Sequence, residues 1–393
     1  MQSTQKYYEA DAYRTEAAGR ILAAEPDGSG GGKLALDGTV FYPEGGGQPA
    51  DRGTLTLPDG TVLHVTDVHE QGGVIWHTTD ALPETAAPGT AVQEALDWAW
   101  RFDKMQQHTG EHILSGILHQ MFGAENVGFH IGTDAVRMDT SVPISAEGLR
   151  EAELAANRII WENVPVLITY PTPEELAALT YRSKKEIAGQ VRIVTIPGAD
   201  ICACCGTHVS NTGEIGLIKI FSCVKFHDGV RLELLCGRRA LAYLSEIAEQ
   251  NRRVSGLLSA KPLETAAAVQ RLLDAEAAQK QRAAGLEEAV FAQKAQALMG
   301  KGNVLLFEPA MSPDSLRRLT DLVMSACGGR AAIFAGGDAE GYKYAVGEQN
   351  GDLRQLVKDL NAQLHGRGGG KPFFVQGSVQ TGRAEIEAFF AGR

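Results

Sequence analysis

The spacing of apolar positions changes character three times along the chain. In the first 95 residues the apolar positions come as short runs, at 34–36, 39–42, 54–57 and 62–68. Between them lie the turn signals Asp37-Gly38, Pro58-Asp59-Gly60 and Gln71-Gly72-Gly73. Short runs bounded by such turns predict hairpins of a small β-barrel or sandwich. The glycine-rich stretch 26–32 is expected to be a mobile loop. From about residue 97 the period becomes helical. Ile113, Leu114, Ile117, Leu118, Met121 and Phe122 recur at spacings of three and four, and Gly123 follows as a stop. A second helix is predicted over 145–163, opened by Ser145 and closed before Pro165. A strand at 164–170, a short helix at 174–179 and strands at 191–196, 215–221 and 230–235 follow. Helices and strands without strict βαβ alternation define an α+β class.

From 238 to 299 the pattern is almost purely helical, rich in Ala, Leu, Glu, Gln, Lys and Arg, with no Gly or Pro between Leu263 and Ala284. One or two long helices are expected there, with Leu257-Leu258, Pro262 and Gly285 as break points. Strict heptads are not sustained. Residues 301–393 switch to a third, α/β unit. Strands are predicted at 303–307, 331–335 and 342–346, with helices at 312–326 and 352–364. Ser312 is the N-cap of the first of these helices and Pro313 opens it. A glycine-rich GRGGGKPFFVQG segment follows. The chain thus divides into a barrel domain (1–95), a mixed domain (96–240), a helical linker (241–300) and a C-terminal α/β domain (301–393). The linker or the C-terminal domain is where a homodimer would form.

Composition narrows the class. Of the 393 residues, 44% are hydrophobic and 22% charged, too apolar for a disordered chain. No apolar run approaches the ~20 residues of a membrane span, and the first residues lack the segments of a secretory signal. Six cysteines in this length make no disulfide framework, so a reducing, cytoplasmic setting is expected. The formal net charge of −11 argues at first against a nucleic-acid partner. The charge is unevenly spread, however. Residues 1–100 carry −10, residues 101–250 carry −4 and residues 251–393 carry +3. Most of the acidity therefore belongs to the barrel.

Two matched pairs carry the chemistry. His108 and His112 lie four apart on the predicted helix, one turn apart on one face. Cys204 and His208 share that spacing, with Gly206 between them. Three imidazoles and a thiolate suit zinc in tetrahedral coordination. Cys202 and Cys205 flank Cys204 and compete for its place. His108-Thr-Gly-Glu111-His112 also matches the inverted zinc-protease motif, with Glu111 as general base. That reading needs an acidic third ligand on a following helix and leaves the cysteine pair without a role. Gly368-Gly-Gly-Lys371-Pro372 is not a nucleotide P-loop, because the earlier Gly and the Ser/Thr are missing. His64, His69, His77, His119, His227 and His365 are scattered and are taken as structural or surface residues.

The motifs together resemble a known family. His108-Thr-Gly-Glu-His112, Cys204-Cys-Gly-Thr-His208 and the segment 212–220 (TGEIGLIKI) look like the editing domain of alanyl-tRNA synthetase. More closely, they resemble the free-standing AlaX proteins that edit mischarged tRNA in trans. The segment 41–51 (FYPEGGGQPAD) is similar to the family's glycine-rich motif. Gly229-Val-Arg231-Leu-Glu is similar to the end of the editing domain. Gly368-Gly-Gly-Lys-Pro with Phe374-Val-Gln-Gly377 resembles the DHH-associated domain that ends the synthetases. The resemblance covers most of the chain and implies the long form, without an aminoacylation domain. It implies a zinc-dependent deacylase acting on tRNA(Ala) mischarged with serine, and with glycine as well. No catalytic side chain is assigned, since zinc either activates water and the ester or anchors the amino acid. Gly45, Gly46, Gly47 and Gln48 are candidates for approach to the tRNA acceptor end, or form a turn packing the barrel on the editing domain. Arg231, with Lys184, Lys185, Arg192, Lys219 and Lys225, is a candidate for phosphate contact. Arg367 and Lys371 are candidates for contact with the tRNA body. The amino-acid pocket is expected around 126–130. The alternatives are a non-catalytic tRNA-binding module with structural zinc, and the inverted-type protease.

Overall fold

The structure, a computed structural model, describes residues 2–183 and 190–392. Contacts group the chain into two compact units, Met1–Asn251 and Arg252–Arg393.

The first unit opens with a closed six-stranded barrel. Its strands neighbour one another in the order Glu16–Pro26, Gly32–Leu36, Val74–Thr79, Val62–Gln71, Gly53–Thr56 and Ala91–Leu96. Alternation decides which side chains turn inward. Val62–Gln71 buries Leu63, Val65 and Val68, and these meet Leu34, Leu36, Phe41, Leu55 and Ile75 in one core. Strand Glu16–Pro26 was not among the predicted runs. Its alanine-rich sequence lacks β-branched signals, yet it buries Ala17, Gly19 and Ile21 in strict alternation. The run predicted at 39–42 is mostly not a strand. Only Gly38–Thr39 pairs, with Gln5–Lys6. Beyond it, side chains take the backbone donors: Val40 N–H bonds Glu94, Phe41 N–H bonds Thr39 Oγ1 and Tyr42 N–H bonds Asp51.

The rest of this unit is built on helix Trp98–Phe122. Asp97 caps it by accepting from Trp100 N, and Gly123 ends it at φ 65°. Helix Ala146–Glu162 is capped by Ser145, as predicted. A four-stranded antiparallel sheet runs Ile218–Phe226, Gly229–Cys236, Val136–Thr140, Asn126–Ile131. A three-stranded one runs Leu167–Thr169, Ile193–Ile196, Asp200–Ala203. Strands Asn126–Ile131, Val136–Thr140 and Asp200–Ala203 were not predicted. They are short and carry polar residues at alternate positions that the mixed pattern hides. Met105, Ile113, Leu114 and Leu118 of the long helix join Met138, Val194, Leu232 and Leu234 in the core.

The second unit begins within helix Gly237–Leu258 and continues as helix Thr265–Ala297. The break falls at the predicted Leu258 and Pro262. Gly285 breaks nothing and lies inside the second helix, because one glycine costs only ~1 kcal/mol there. A five-stranded sheet follows: Gly302–Glu308, Gly328–Gly337, Gly341–Gly347, Phe374–Val379, Arg367–Lys371. Its first pair is parallel and the others are antiparallel. Helix Pro313–Cys327 starts at the predicted N-cap Ser312. The glycine-rich tail is a hairpin rather than a loop. Gly368 is needed for packing, since a Cβ there would lie 2.0 Å from the Tyr344 hydroxyl.

Candidate metal centre

Helix Trp98–Phe122 is buried on every side from Met105 to Leu118. Its anchor is Arg101, whose guanidinium donates to the Asp51 carboxylate and to the carbonyls of Ala12 and Val40. Arg101 and Asp51 are both fully buried, and removing either partner of such a pair costs ~3–5 kcal/mol. The anchor ties the end of the 41–51 motif to the helix two turns before His108.

One turn apart on that helix, His108 and His112 meet Cys204 and His208 from the loop after strand Asp200–Ala203. One donor atom from each lies within 4.8 Å of those of the other three. The Cys204 thiol sits 3.5 Å from His108 Nε2. Gly206 makes this approach possible, for a Cβ there would stand 2.2 Å from the His108 ring. Arg192 donates to the carbonyls of Cys204 and Gly206 at 2.6 and 3.0 Å and braces the loop.

Each imidazole spends the same nitrogen on a neighbour. His112 Nδ1 lies 2.8 Å from the Asp200 carboxylate, His108 Nδ1 lies 2.8 Å from Gln48 Oε1, and His208 Nδ1 lies 3.3 Å from Thr109 Oγ1. The Thr109 hydroxyl hydrogen goes to Met105 O, so His208 must be the donor. That leaves Nε2 as the second nitrogen of each ring, and in His108 it lies 3.5 Å from the Cys204 thiol. For His208 that atom is buried with no hydrogen-bond partner, a costly arrangement unless a ligand completes it. Electrostatics agree. Burial pushes the Cys204 thiol up, but the three histidines hold it well below the usual thiol range. Burial pushes His208 down to about 3, leaving a neutral ring. Burial also opposes the charged form of His112, yet Cys204 and Asp200 hold it well above its ordinary value, so in the metal-free chain this ring carries a proton that a bound ion would displace. Outer carboxylate and carbonyl acceptors on Nδ1 are what a histidine-bound metal requires.

The flanking cysteines separate cleanly. Cys205 is exposed and burial raises its thiol. Cys202 is buried beside His112 and Asp200, where the three make a second, smaller group. Asp200 escaped the sequence reading, although strand alternation places it on the face of Cys202, two residues on. The grouping differs from what the inverted protease motif needs, since Cys204 and His208 stand where an acidic ligand would.

The other candidates are dispersed. Gly45 and Gln48 close a turn on each other's backbone, Gly46 is exposed at its tip, and Gly47 accepts from Ile131 N. A Cβ at Gly47 would lie 2.6 Å from Phe129 O, so the turn packs the barrel on strand Asn126–Ile131. Gln48 is fully buried and does not present its side chain to solvent. Arg192 is buried as a loop brace, not a surface cation. Arg231 is held by both Asp139 oxygens at 2.7 and 2.8 Å. Lys219 pairs with Glu153, Lys225 is exposed, and Lys184 and Lys185 lie outside the described residues. Arg367 and Lys371 are exposed on the second unit's edge strand. In the 126–130 segment, Asn126 donates to Glu111 and the Phe129 ring lies 5.1 Å from that of His108. A cavity of about 540 Å³ is lined by Arg182 and by Asp200, the partner of His112.

Comparison with known proteins agrees with this architecture. Residues 191–255 match the family described as threonyl and alanyl tRNA synthetase second additional domain, residues 10–100 match tRNA synthetases class II (A), and residues 300–391 match the DHHA1 domain. The chain is therefore similar to tRNA-synthetase domains in three separate segments. It is 30% identical over 374 residues to the alanyl-tRNA editing protein AlaX-L of Pyrococcus horikoshii, covering 90% of this chain and 89% of that one. It is 32% identical over 283 residues to the alanyl-tRNA editing protein Aarsd1 of Mus musculus, covering 67% and 66%. An alanine–tRNA ligase of Methanothrix thermoacetophila is 32% identical over 387 residues, and the chain spans 41% of that ligase. The chain belongs to the alanyl-tRNA editing protein family. Among the described residues, no helix is long and apolar enough to cross a membrane.

Proposed function

We propose that this protein is an aminoacyl-tRNA deacylase that hydrolyses the ester of tRNA(Ala) mischarged with serine, and with glycine as well, acting in trans in the cytoplasm. The observation that carries this reading is the convergence of His108, His112, Cys204 and His208, with the buried His208 Nε2 left without a hydrogen-bond partner, in a chain of the editing family. The donor set suits Zn²⁺. Bound there, the ion supplies either a Lewis acid for the ester or an anchor for the amino acid. The chain's own residues do the rest. Gln48, Asp200 and Thr109 orient the three rings, and Arg192 fixes the loop that carries Cys204. Asn126 and Phe129 bring one strand to the edge of the cluster, where the amino acid is read.

The tRNA is met by Gly46 at the tip of the glycine turn and by Arg367 and Lys371 on the C-terminal hairpin, with the acidic barrel surface turned away. A homodimer through the helical pair is supported by the exposure of Leu257 (87%) and Leu263 (99%) at its turn.

The test is release of amino acid from tRNA(Ala) charged with serine, glycine or alanine. Rapid release of serine, with alanine retained, is expected. Binding of all three without release would instead favour the tRNA-binding module.

A further inference from the structure

The barrel contributes one buried polar side chain to the metal cluster, and the reading of the 41–51 motif as a surface for tRNA gives it no purpose. Gln48 has no exposed surface. Its amide oxygen lies 2.8 Å from His108 Nδ1 and 3.2 Å from the Thr207 backbone nitrogen. Its amide nitrogen donates to Thr207 Oγ1 at 2.8 Å. The orientation of the amide is not free. The Thr207 backbone N–H can only donate, so the atom facing it must be the carbonyl oxygen. That same oxygen faces His108, so His108 must donate from Nδ1. The proton of a neutral His108 is therefore held on Nδ1, and the lone pair sits on Nε2, the nitrogen 3.5 Å from the Cys204 thiol. Asp200 and Thr109 do the same for His112 and His208 from the editing domain's own strand and helix. Only His108 is set from the barrel.

We propose that Gln48 is a positioning residue of the metal centre, fixing the tautomer and ring orientation of His108 so that the barrel completes the site. This rests on the metal reading given above. The backbone supports it. Gly47 is pressed against Phe129, where no Cβ fits. Gly206 lets both His108 and Gln48 approach, since a Cβ there would lie 3.0 Å from Gln48 Oε1. Two glycines in separate segments thus clear the space in which the amide and the imidazole meet. A glutamine suits the place because it offers the acceptor to His108 and a donor to Thr207 at once.

The experiment is zinc binding by the full chain, measured by competition with a chromophoric chelator, for the wild type, Gln48→Leu and Gln48→Glu. Loss of an outer partner of a metal-bound histidine typically costs 10–100-fold in affinity. A loss on that order is expected for Gln48→Leu. Gln48→Glu keeps an acceptor for His108 and for Thr207, and is expected to bind within a few-fold of wild type. A histidine-selective nitrogen NMR spectrum of the metal-free chain should show His108 protonated on Nδ1 in the wild type and Gln48→Glu, and redistributed in Gln48→Leu. Unchanged zinc affinity in Gln48→Leu overturns the proposal. So does loss in Gln48→Glu equal to that in Gln48→Leu, which would make Gln48 packing alone. If Gln48→Leu does not fold, Gln48→Glu and the wild-type spectrum decide. No zinc uptake by the wild type overturns the metal reading itself, and the proposal with it.

Discussion

His208 and His77 are both buried histidines, and burial pushes both downward, to about 3 and about 4. Their surroundings differ in one respect. His77, inside the barrel, spends both nitrogens: Nδ1 lies 3.1 Å from Leu34 O and Nε2 lies 2.8 Å from Thr39 Oγ1. His208 spends Nδ1 on Thr109 and leaves Nε2 with nothing. The His77 ring is thus satisfied by the protein alone, whereas His208 is left open to a ligand. Beside His77, the Glu94 carboxyl lies 2.7 Å from Thr39 Oγ1, and burial raises it to about 7. Beside His208, the Cys204 thiol is lowered. The barrel pair favours neutral forms, and the metal cluster favours a thiolate.

Variants that treat the two histidines alike should separate them. Cys204→Ala or His208→Ala should abolish zinc uptake and serine release together, a larger loss than the roughly 10–100-fold expected from an outer partner. Equal zinc content in wild type and Cys204→Ala would transfer the thiolate role to Cys202. His77→Ala should do the reverse. It removes the imidazole partner of the Leu34 carbonyl, while Thr39 keeps Glu94, at about 1–3 kcal/mol for a buried group left unsatisfied. Denaturant unfolding should therefore show a loss of about 1–3 kcal/mol, while the folded fraction still binds zinc.

The sign of the Glu94 effect follows from its raised value. Between about pH 4.5 and 7 the unfolded chain gives up the proton while the native chain keeps it, so ionisation costs stability as pH rises. Arg14 opposes this shift and Asp37 adds to it. Glu94→Gln should therefore gain stability over wild type as pH rises through that window, by up to about 3 kcal/mol at 1.36 kcal/mol per unit. A difference independent of pH would show that Glu94 is ionised in the fold. The smallest effect is expected in the second unit. Arg367→Ala with Lys371→Ala should raise KM for charged tRNA and lower the salt slope of binding by about 2, with kcat unchanged.

Much of this was legible in the sequence, and what was missed shares a cause. The four cluster residues could be read because matched spacings of four survive without knowledge of tertiary contacts. The helix caps at Ser145 and Ser312 could be read because capping is local. Asp200 and Gln48 could not, because each is ordinary in its own segment. They acquire their roles only when strand Asp200–Ala203 and the glycine turn are brought against one helix, 88 and 60 residues away in sequence. The strand Glu16–Pro26 was hidden by alanine, and the C-terminal hairpin by glycine. In both, pairing with neighbouring strands outweighs weak local propensity.

The most direct test of the account is to follow bound zinc and serine release on one preparation as a chelator is added and zinc is then returned. The account predicts that both fall together, with one zinc per chain at full activity, and that both return. Undiminished serine release from metal-free protein would contradict it.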